Sequence, residues 1–346
     1  MSEQDVRDAF ATQAEFCDRS ECPVTAAVVR GIAAALDRST ETGRRTLEWR
    51  GDPRGSNDAV PLRLAGGMHA LARRKADARL VRLYAGALED SDAIVRDVLH
   101  RFDAELATWL DSPPQTNETG RAAPIMAGLM VLAAEYGLPF ELIELGASAG
   151  LNQNLDRFGY RLGDAAAGDP DSPLQLAPAW GGESPPAAEV RIVARRAVDR
   201  NPVLVADPAQ RERLAAYCWV DQTERMQRLE AALALAAEYP PDLEQGDAGS
   251  FIESALAEPQ RDGVCRVVFH TIFWQYLDAA TQDRIANALR RAGASATAQR
   301  PLAWLRFEQL ASGLVPPELH LTKWPGGRER HLATGHPHGS KIRWHG

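Results

Sequence analysis

Apolar side chains in the first part of the chain recur at three- and four-residue intervals. Val6 and Phe10 begin one such series, and a second follows Pro23. This spacing places the apolar side chains on one face of a helix, and proline is favoured in the first helical turn. The pattern predicts helices that begin near Val6 and at Pro23, helices over 62–74 and 80–110, and a polar loop over 50–57. We therefore predict a helical N-terminal region over residues 1–116.

From residue 117 onward, short apolar runs alternate with segments of helical spacing. Residues 140–145 and 264–269 are the clearest runs, with the length and composition of buried parallel strands. The predicted strands are 140–145, 190–194, 243–245, 264–269 and 301–307, and the predicted helices lie in 121–136, 208–238 (two helices), 251–256 and 278–292. This alternation predicts an α/β fold, a doubly wound Rossmann-like sheet with right-handed crossovers, over residues 117–346.

Two segments depart from the alternation. Residues 158–188 are rich in Gly, Pro, Asp and Ala and predict a hairpin-like insertion. Near the C-terminus, residues 319–323 and 341–344 predict an antiparallel hairpin joined across a loop rich in Gly, Pro and His.

Composition narrows the possible partners. The net charge of −8 argues against a nucleic-acid partner, because such proteins usually carry a basic excess. No run approaches the ~18–20 uncharged apolar residues that cross a bilayer, and the acidic N-terminus shows no signal-peptide pattern. We therefore expect a cytoplasmic protein with no membrane partner and with a small-molecule substrate.

Cysteine and histidine spacing gives little support for a metal. The four cysteines form no CxxC pair. Four histidines cluster near the C-terminus, but the neighbouring sequence shows no carboxylate or thiolate array that would complete a site; they are His331, His336, His338 and His345. The sequence analysis therefore assigns no metal.

A turn of small residues follows the first predicted strand. Gly146, Ser148 and Gly150 are spaced by two, and a helix-compatible segment begins near Leu151. Small residues allow close backbone approach to a ligand, and free N–H groups at a helix start favour negative charge. The alternative is a close-packed turn without a ligand. Glu144, two residues before the turn, favours the ligand cradle.

The pattern Glu-x-Gly-x-small-x-Gly after an apolar strand resembles the first motif of the class I S-adenosylmethionine (SAM) dependent methyltransferases. The wider pattern is similar to a bacterial family catalogued only as a domain of unknown function. The strings that carry the second resemblance are QTNETGR (115–121), ELGASAGLN (144–152), DRNP (199–202), FHTIFWQYL (269–277), WLRFE (304–308) and WPGG (324–327).

The methyltransferase resemblance implies roles for several acids. Glu144 and the glycine turn, with Asn152, would hold the methionine end of SAM. Asp199, after the second strand, would accept hydrogen bonds from the ribose hydroxyls, and Asp247 would accept one from the adenine amino group. The alternatives are a surface loop charge for Asp199 and a helix N-cap for Asp247.

The fourth strand and the junction loop supply further candidates. His270 ends the predicted strand and would flank the substrate, where it could also act as a general base near neutral pH; its alternative is a partly buried histidine bonded to backbone. Trp274 and Gln275, about one turn further on, would wall a pocket or contact the cofactor. The polar residues of the junction loop would cover the cofactor or bind an anionic substrate, or else cap a helix; these are Asn117, Glu118 and Arg121.

These observations lead to one main hypothesis and two alternatives. The main hypothesis is a SAM-dependent, methyltransferase-like protein that acts on a small molecule the sequence does not identify. The first alternative is a non-catalytic module that binds a nucleoside, SAM or a protein. The second is an oxidoreductase that uses a nicotinamide cofactor.

Overall fold

The computed structural model describes residues 2–309 and 315–346. It comprises two compact units. The helical unit contains Met1–Thr116 and Asp207–Gln227, and the sheet unit contains Asn117–Ala206 and Arg228–Gly346. Residues 207–227, which the sequence analysis placed in the second region, thus belong to the first unit.

The described part of the chain contains the following helices: α1 (Glu3–Arg19), α2 (Pro23–Ala35), α3 (Glu41–Leu47), α4 (Val60–Arg73), α5 (Ala78–Tyr84), α6 (Ser91–Arg101), α7 (Asp103–Trp109), α8 (Ala122–Tyr136), α9 (Pro208–Ala216), α10 (Thr223–Glu238), α11 (Ala248–Ala257) and α12 (Ala279–Ala294). Short 3₁₀ helices cover Thr119–Arg121, Leu151–Arg157 and Trp274–Tyr276. Among the described residues, no helix combines the length and apolar composition that crossing a bilayer requires.

Packing of apolar helix faces forms the core of the helical unit. Val28, Ile32, Leu64 and Leu99 are almost fully buried in one cluster. α9 joins this unit because the buried ring of His69 on α4 contacts the Ala216 carbonyl, with 3.0 Å between Nδ1 and O.

The single helix expected over 80–110 is wrong, because the structure has three helices there. α5 ends at Tyr84, and Gly86 follows with φ of +100°. Asp90 then adopts a left-handed conformation immediately before α6. Left-handed residues cannot continue a right-handed helix. The sequence prediction treated the helical spacing on either side of this break as one helix.

The strands are β1 (Phe140–Leu145), β2 (Gly159–Leu162), β3 (Ala165–Gly168), β4 (Gln175–Leu176), β5 (Ala179–Gly181), β6 (Ile192–Asp199), β7 (Leu243–Gln245), β8 (Cys265–Thr271), β9 (Leu302–Glu308), β10 (Glu318–Trp324), β11 (Arg328–Gly335) and β12 (Lys341–Trp344). Nine of them form one sheet in the order β5-β12-β11-β10-β9-β8-β1-β6-β7. β7, β6, β1, β8 and β9 are mutually parallel neighbours. The fold is therefore mixed α/β with a mostly parallel sheet.

Helices cover both faces of this sheet. Ile143 and Trp304 belong to a cluster that includes Ile252 of α11 and Leu289 of α12. On the other face, a Cβ on Gly128 of α8 would lie 2.6 Å from the side chain of Leu305. Trp304 and Leu305 are consecutive in β9, and consecutive strand residues point to opposite faces.

The order of the parallel strands creates a crevice at the end of β1. From β1 the chain moves to β6 and β7 on one side and then returns to β8 and β9 on the other. In open α/β sheets, ligands bind beyond the carboxyl ends of the strands at such a reversal. The turn at residues 146–150 lies at this position.

The predicted pairing of 319–323 with 341–344 is wrong. β10 pairs with β11, and β12 pairs with the opposite edge of β11. The intervening β11 was missed because residues 328–335 are mostly polar and lie among glycines and histidines. In the predicted insertion, β2 and β3 do form an antiparallel pair, and β5 joins β12 in the main sheet.

Candidate functional site

The turn after β1 has a left-handed backbone at every second residue. Gly146, Ser148 and Gly150 have φ of +67°, +57° and +70°. A Cβ on Gly146 would lie 2.1 Å from the ring of Phe273, so the aromatic ring packs directly on the turn backbone. The segment that follows is a 3₁₀ helix over Leu151–Arg157 rather than an α-helix.

The protein itself binds most of the amides of this turn. The N–H groups of Gly146 and Ala147 donate to the Val198 carbonyl, at 2.9 and 3.1 Å. The Ser148 N–H donates to Asp199 Oδ2 at 2.7 Å. The turn is thus tied to the end of β6, and the amides at these three positions are already hydrogen-bonded within the protein.

Asp199 is the last residue of β6 rather than a loop residue beyond it. Besides the bond to Ser148, its Oδ1 accepts from the Asn201 N–H at 2.8 Å. An ionised carboxylate offers about four lone-pair sites, so two bonds leave capacity for further donors. Asp199 can therefore brace the turn and contact a ligand.

A pocket of about 200 Å³ opens at the carboxyl ends of β1, β6 and β7. Its walls are formed by Gly146, Val198, Asp199, Arg200, Gly246, Ala248, Phe273, Tyr276 and Leu277. Sites that enclose a drug-sized ligand usually measure ~300–1,000 Å³. A larger metabolite held here would therefore be enclosed in part, between an acid on one side and an aromatic ring on the other.

Asp247 acts as the N-cap of α11. Its Oδ1 accepts from the Ser250 N–H at 2.9 Å and lies 3.3 Å from Arg284 Nη1. The Ser250 backbone hydrogen bond and the Arg284 guanidinium hold the pKa of Asp247 below its usual value. Its neighbours Gly246 and Ala248, rather than Asp247, line the pocket.

Buried polar atoms without partners accumulate beneath the turn. Glu144 is 2% exposed, and among the residues that the structure describes its Oε2 has no hydrogen-bond partner. The same holds for Ser148 Oγ and Asn152 Oδ1, which are also buried. Burial and the nearby Asp199 charge raise the pKa of Glu144 well above its ordinary value. Since buried polar atoms in native proteins are nearly always paired, this cluster points to a polar ligand or water.

The junction loop lies against this cluster. Asn117 Oδ1 accepts from the Leu151 N–H at 2.9 Å and so caps the 3₁₀ helix. Glu118 is buried, accepts from the Gly120 N–H at 3.0 Å, and lies 3.6 Å from the Arg228 guanidinium. Arg121 donates to the carbonyls of Pro337 and Thr271, at 2.8 and 3.2 Å. Each of the three predicted lid residues thus has a bond that holds the loop in place.

His270 is fully buried and both of its ring nitrogens are engaged. Nε2 accepts from Trp304 Nε1–H at 3.1 Å. Nδ1 therefore carries the proton and donates to Glu308 Oε1, 2.5 Å away. In this arrangement neither nitrogen is available as a general base, which corrects the catalytic role that the sequence analysis considered for His270. The alternative of a buried histidine was closer, although its partners are side chains rather than backbone.

Glu308 fixes the loop that follows β8. Its carboxylate accepts from the backbone N–H groups of Phe273 and Trp274, each at 3.1 Å. Ile272, just before them, has φ of +49°, a conformation that is exceptional for a β-branched residue. Glu308 therefore stabilises a strained segment that supplies the aromatic wall of the pocket.

The pocket wall was predicted at Trp274 and Gln275, but the residues that line the pocket lie one position before and one position after this pair. The Trp274 ring stacks on His270 with centroids 5.1 Å apart, and Gln275 is exposed. Phe273 and Tyr276 line the pocket instead. Glu308 is the last residue of the string WLRFE (304–308), but the sequence analysis assigned it no role.

One protein-family model matches almost the whole chain. A family model described as "Uncharacterized protein conserved in bacteria (DUF2332)" matches residues 7–344. The chain belongs to the DUF2332 family. No curated protein and no solved structure matches the chain significantly. The match includes both compact units, so the helical unit and the sheet unit are parts of one conserved family pattern.

Proposed function

We propose that this protein binds SAM at the carboxyl ends of β1, β6 and β7 and acts as a methyltransferase on a small molecule. One observation carries the proposal. Gly146 from the turn after β1, Asp199 at the end of β6 and Ala248 after β7 line the same pocket. These are the positions at which a doubly wound sheet holds a nucleoside, and the parallel strand order β7-β6-β1-β8-β9 supports the proposal.

The residues present fit such a ligand. The Asp199 carboxylate retains lone pairs for ribose hydroxyls beyond its two backbone bonds. Ala248 is the first residue of α11, where backbone N–H groups lack intrahelical acceptors. The unpartnered atoms of Glu144, Ser148 and Asn152 supply polar groups next to the turn.

The chemistry asks little of the protein beyond alignment. SAM carries an activated sulfonium methyl donor, so positioning of the acceptor supplies much of the rate. Both ring nitrogens of His270 are hydrogen-bonded, which is compatible with an enzyme that aligns its substrates without a general base. A general base is required only for an acceptor that must lose a proton.

Calorimetric titration tests the proposal. We expect SAM and its demethylated product to bind with one site per chain, and Asp199→Ala to weaken binding at least tenfold. Asp283→Ala is the matched control, because Asp283 is an exposed acid on α12 outside the pocket. No heat with either ligand at millimolar concentration, or heat with NAD only, contradicts the proposal.

A second candidate is a non-catalytic module that binds SAM or a related nucleoside. The engagement of both His270 nitrogens by Trp304 and Glu308 favours it, because the predicted base is then structural. Binding without release of demethylated SAM, across a panel of oxygen, nitrogen and sulfur acceptors, supports the binding module. Release with any acceptor supports the enzyme.

A further inference from the structure

A second polar cluster lies on β10 and β11, in the antiparallel part of the sheet. Glu318, His320 and His331 each place one ligand atom within 4.8 Å of the other two. His320 and His331 are cross-strand partners, and their rings stack with centroids 5.0 Å apart. Glu318 and His320 are partly exposed and His331 is exposed, so an ion can reach the cluster from solvent.

The hydrogen bonds show which group faces each ring nitrogen of the two histidines. His331 Nε2 lies 3.0 Å from the Ala333 carbonyl oxygen. Because a carbonyl only accepts, this nitrogen carries the proton and Nδ1 carries the lone pair. His320 Nδ1 lies 3.0 Å from Glu329 Oε1, and its Nε2 lies 2.8 Å from Glu318 Oε2.

Both nitrogens of His320 therefore face carboxylates. A proton on each nitrogen satisfies that arrangement, and so does a cation between Nε2 and Glu318 with the proton kept on Nδ1. The second arrangement matches a recurrent feature of metal sites, in which a ligating histidine donates its other N–H to a carboxylate or carbonyl. Glu329 serves His320 in this way, and the Ala333 carbonyl serves His331.

We propose that Glu318, His320 and His331 form a site for a divalent transition-metal ion of the zinc class. Two imidazoles and one carboxylate are an established zinc ligand set with a fourth position open to water. Bonds of ~2.0–2.1 Å hold tetrahedral ligands roughly 3.3 Å apart. The three ligand atoms here lie within 4.8 Å of one another, which is within about 1.5 Å of that spacing. The site is independent of the proposed SAM pocket.

Charge supports this assignment over a purely structural ion-pair network. Two carboxylates, Glu318 and Glu329, flank His320, and the Arg306 guanidinium forms an ion pair with Glu329. Arg306 thus balances the charge of Glu329, and the Glu318 carboxylate remains to neutralise an ion.

The sequence did not reveal this set because its histidines were considered as a C-terminal cluster. His336 and His338 belong to the turn between β11 and β12, where His336 Nδ1 accepts from the His338 backbone N–H. The pairing of β10 with β11 brings in His320 and Glu318, which lie 11 and 13 positions before His331.

Competition with a chromophoric chelator, on tag-free full-length protein, tests the proposal. We expect one Zn²⁺ per chain, and a visible absorption spectrum of tetrahedral type with Co²⁺. His320→Ala and His331→Ala each weaken Zn²⁺ binding at least tenfold. Glu329→Gln weakens it roughly tenfold, because an outer acceptor tunes the ligand. His100→Ala, an exposed histidine on α6, leaves binding unchanged.

Circular dichroism of each variant shows whether the fold is kept, since these side chains lie on partly exposed strand positions. The proposal is overturned by a wild-type protein that binds no Zn²⁺ more tightly than the His320→Ala/His331→Ala double variant. It is also overturned if His100→Ala reduces binding as much as His320→Ala does.

Discussion

The carboxylate of Asp199 accepts a 2.7 Å hydrogen bond from the backbone N–H of Ser148. This bond joins the end of β6 to the turn after β1, and Asp199 also lines the adjacent pocket. One acid thus stabilises the turn and presents a charge to any ligand. Under the proposed function, folding and ligand binding are therefore coupled at this residue.

Asp199→Ala should destabilise the protein. The substitution removes the acceptor of the Ser148 and Asn201 N–H groups. Ser148 is buried, so its unpaired N–H costs about 1–3 kcal/mol in the free energy of unfolding, whereas water can solvate the exposed Asn201. Urea unfolding measures the change, with Asp283→Ala as the control. Equal stability of the two variants would show that neither bond is formed in solution.

Gly146→Ala should cost more than the same change at another left-handed glycine. Gly137 has φ of +64°, close to the +67° of Gly146, but an added Cβ there meets nothing within 4 Å. Gly137→Ala thus isolates the conformational cost of about 1–2 kcal/mol, and Gly146→Ala adds a clash with Phe273. Thermal unfolding of both variants, and of Gly146→Ala/Phe273→Ala, separates these costs. Identical losses for the two single variants would place Phe273 away from the turn.

Glu144→Gln should remove a pH-dependent loss of stability. Burial raises the pKa of Glu144 above its ordinary value of 4.5, so the unfolded chain loses this proton first as pH rises. The free energy of unfolding therefore decreases as pH rises from 4.5 to the pKa that Glu144 has in the folded protein. A neutral glutamine has no such loss, so the variant should gain stability relative to wild type between pH 4.5 and neutral pH. Urea unfolding across that range measures it, and parallel curves would contradict the assignment.

His69 should make the protein sensitive to mild acid. Burial lowers the pKa of His69 from 6.5 to about 4, which corresponds to roughly 3 kcal/mol of differential interaction. As pH falls, the unfolded chain binds this proton before the folded protein does. The contribution of neutral His69 to the free energy of unfolding is therefore fully present above pH 6.5 and is lost as pH falls towards 4. His69→Gln should flatten the pH dependence of unfolding in that window, whereas His100→Gln should not. A wild-type profile that is already flat would argue against a buried neutral His69.

Glu308→Gln should loosen the loop after β8. The glutamine side chain offers a single acceptor oxygen where the carboxylate serves the Phe273 and Trp274 N–H groups and His270 Nδ1. Hydrogen exchange at these two amides should accelerate at least tenfold, while exchange in α8 stays unchanged. Unaltered protection at Phe273 and Trp274 would mean that another group holds the strained loop.

The sequence was most informative where a single periodicity determines the structure. β1 and β7 were predicted residue for residue, because each is bounded by proline and glycine residues that end strands. The pairing of β10 with β11 was missed although only residues 325–327 separate the two strands, because residues 328–335 are mostly polar and show no clear strand pattern. The occupied nitrogens of His270 depend on Trp304 and Glu308, which only the folded sheet brings beside it.

The candidate site, like the fold, was predicted from the sequence only in part. The strand-end rule located the turn at 146–150 and the acid at 199, because chain order fixes which strand ends can meet. Whether Phe273 or Trp274 forms the pocket wall depends on the left-handed conformation of Ile272, which no local pattern indicates for a β-branched residue.

A crystal structure grown with the demethylated form of SAM tests the central claim most directly. The account predicts nucleoside density between Asp199 and Phe273, with the ribose hydroxyls on the Asp199 carboxylate. Density that lies elsewhere, or a pocket that stays filled with water at saturating ligand, contradicts it.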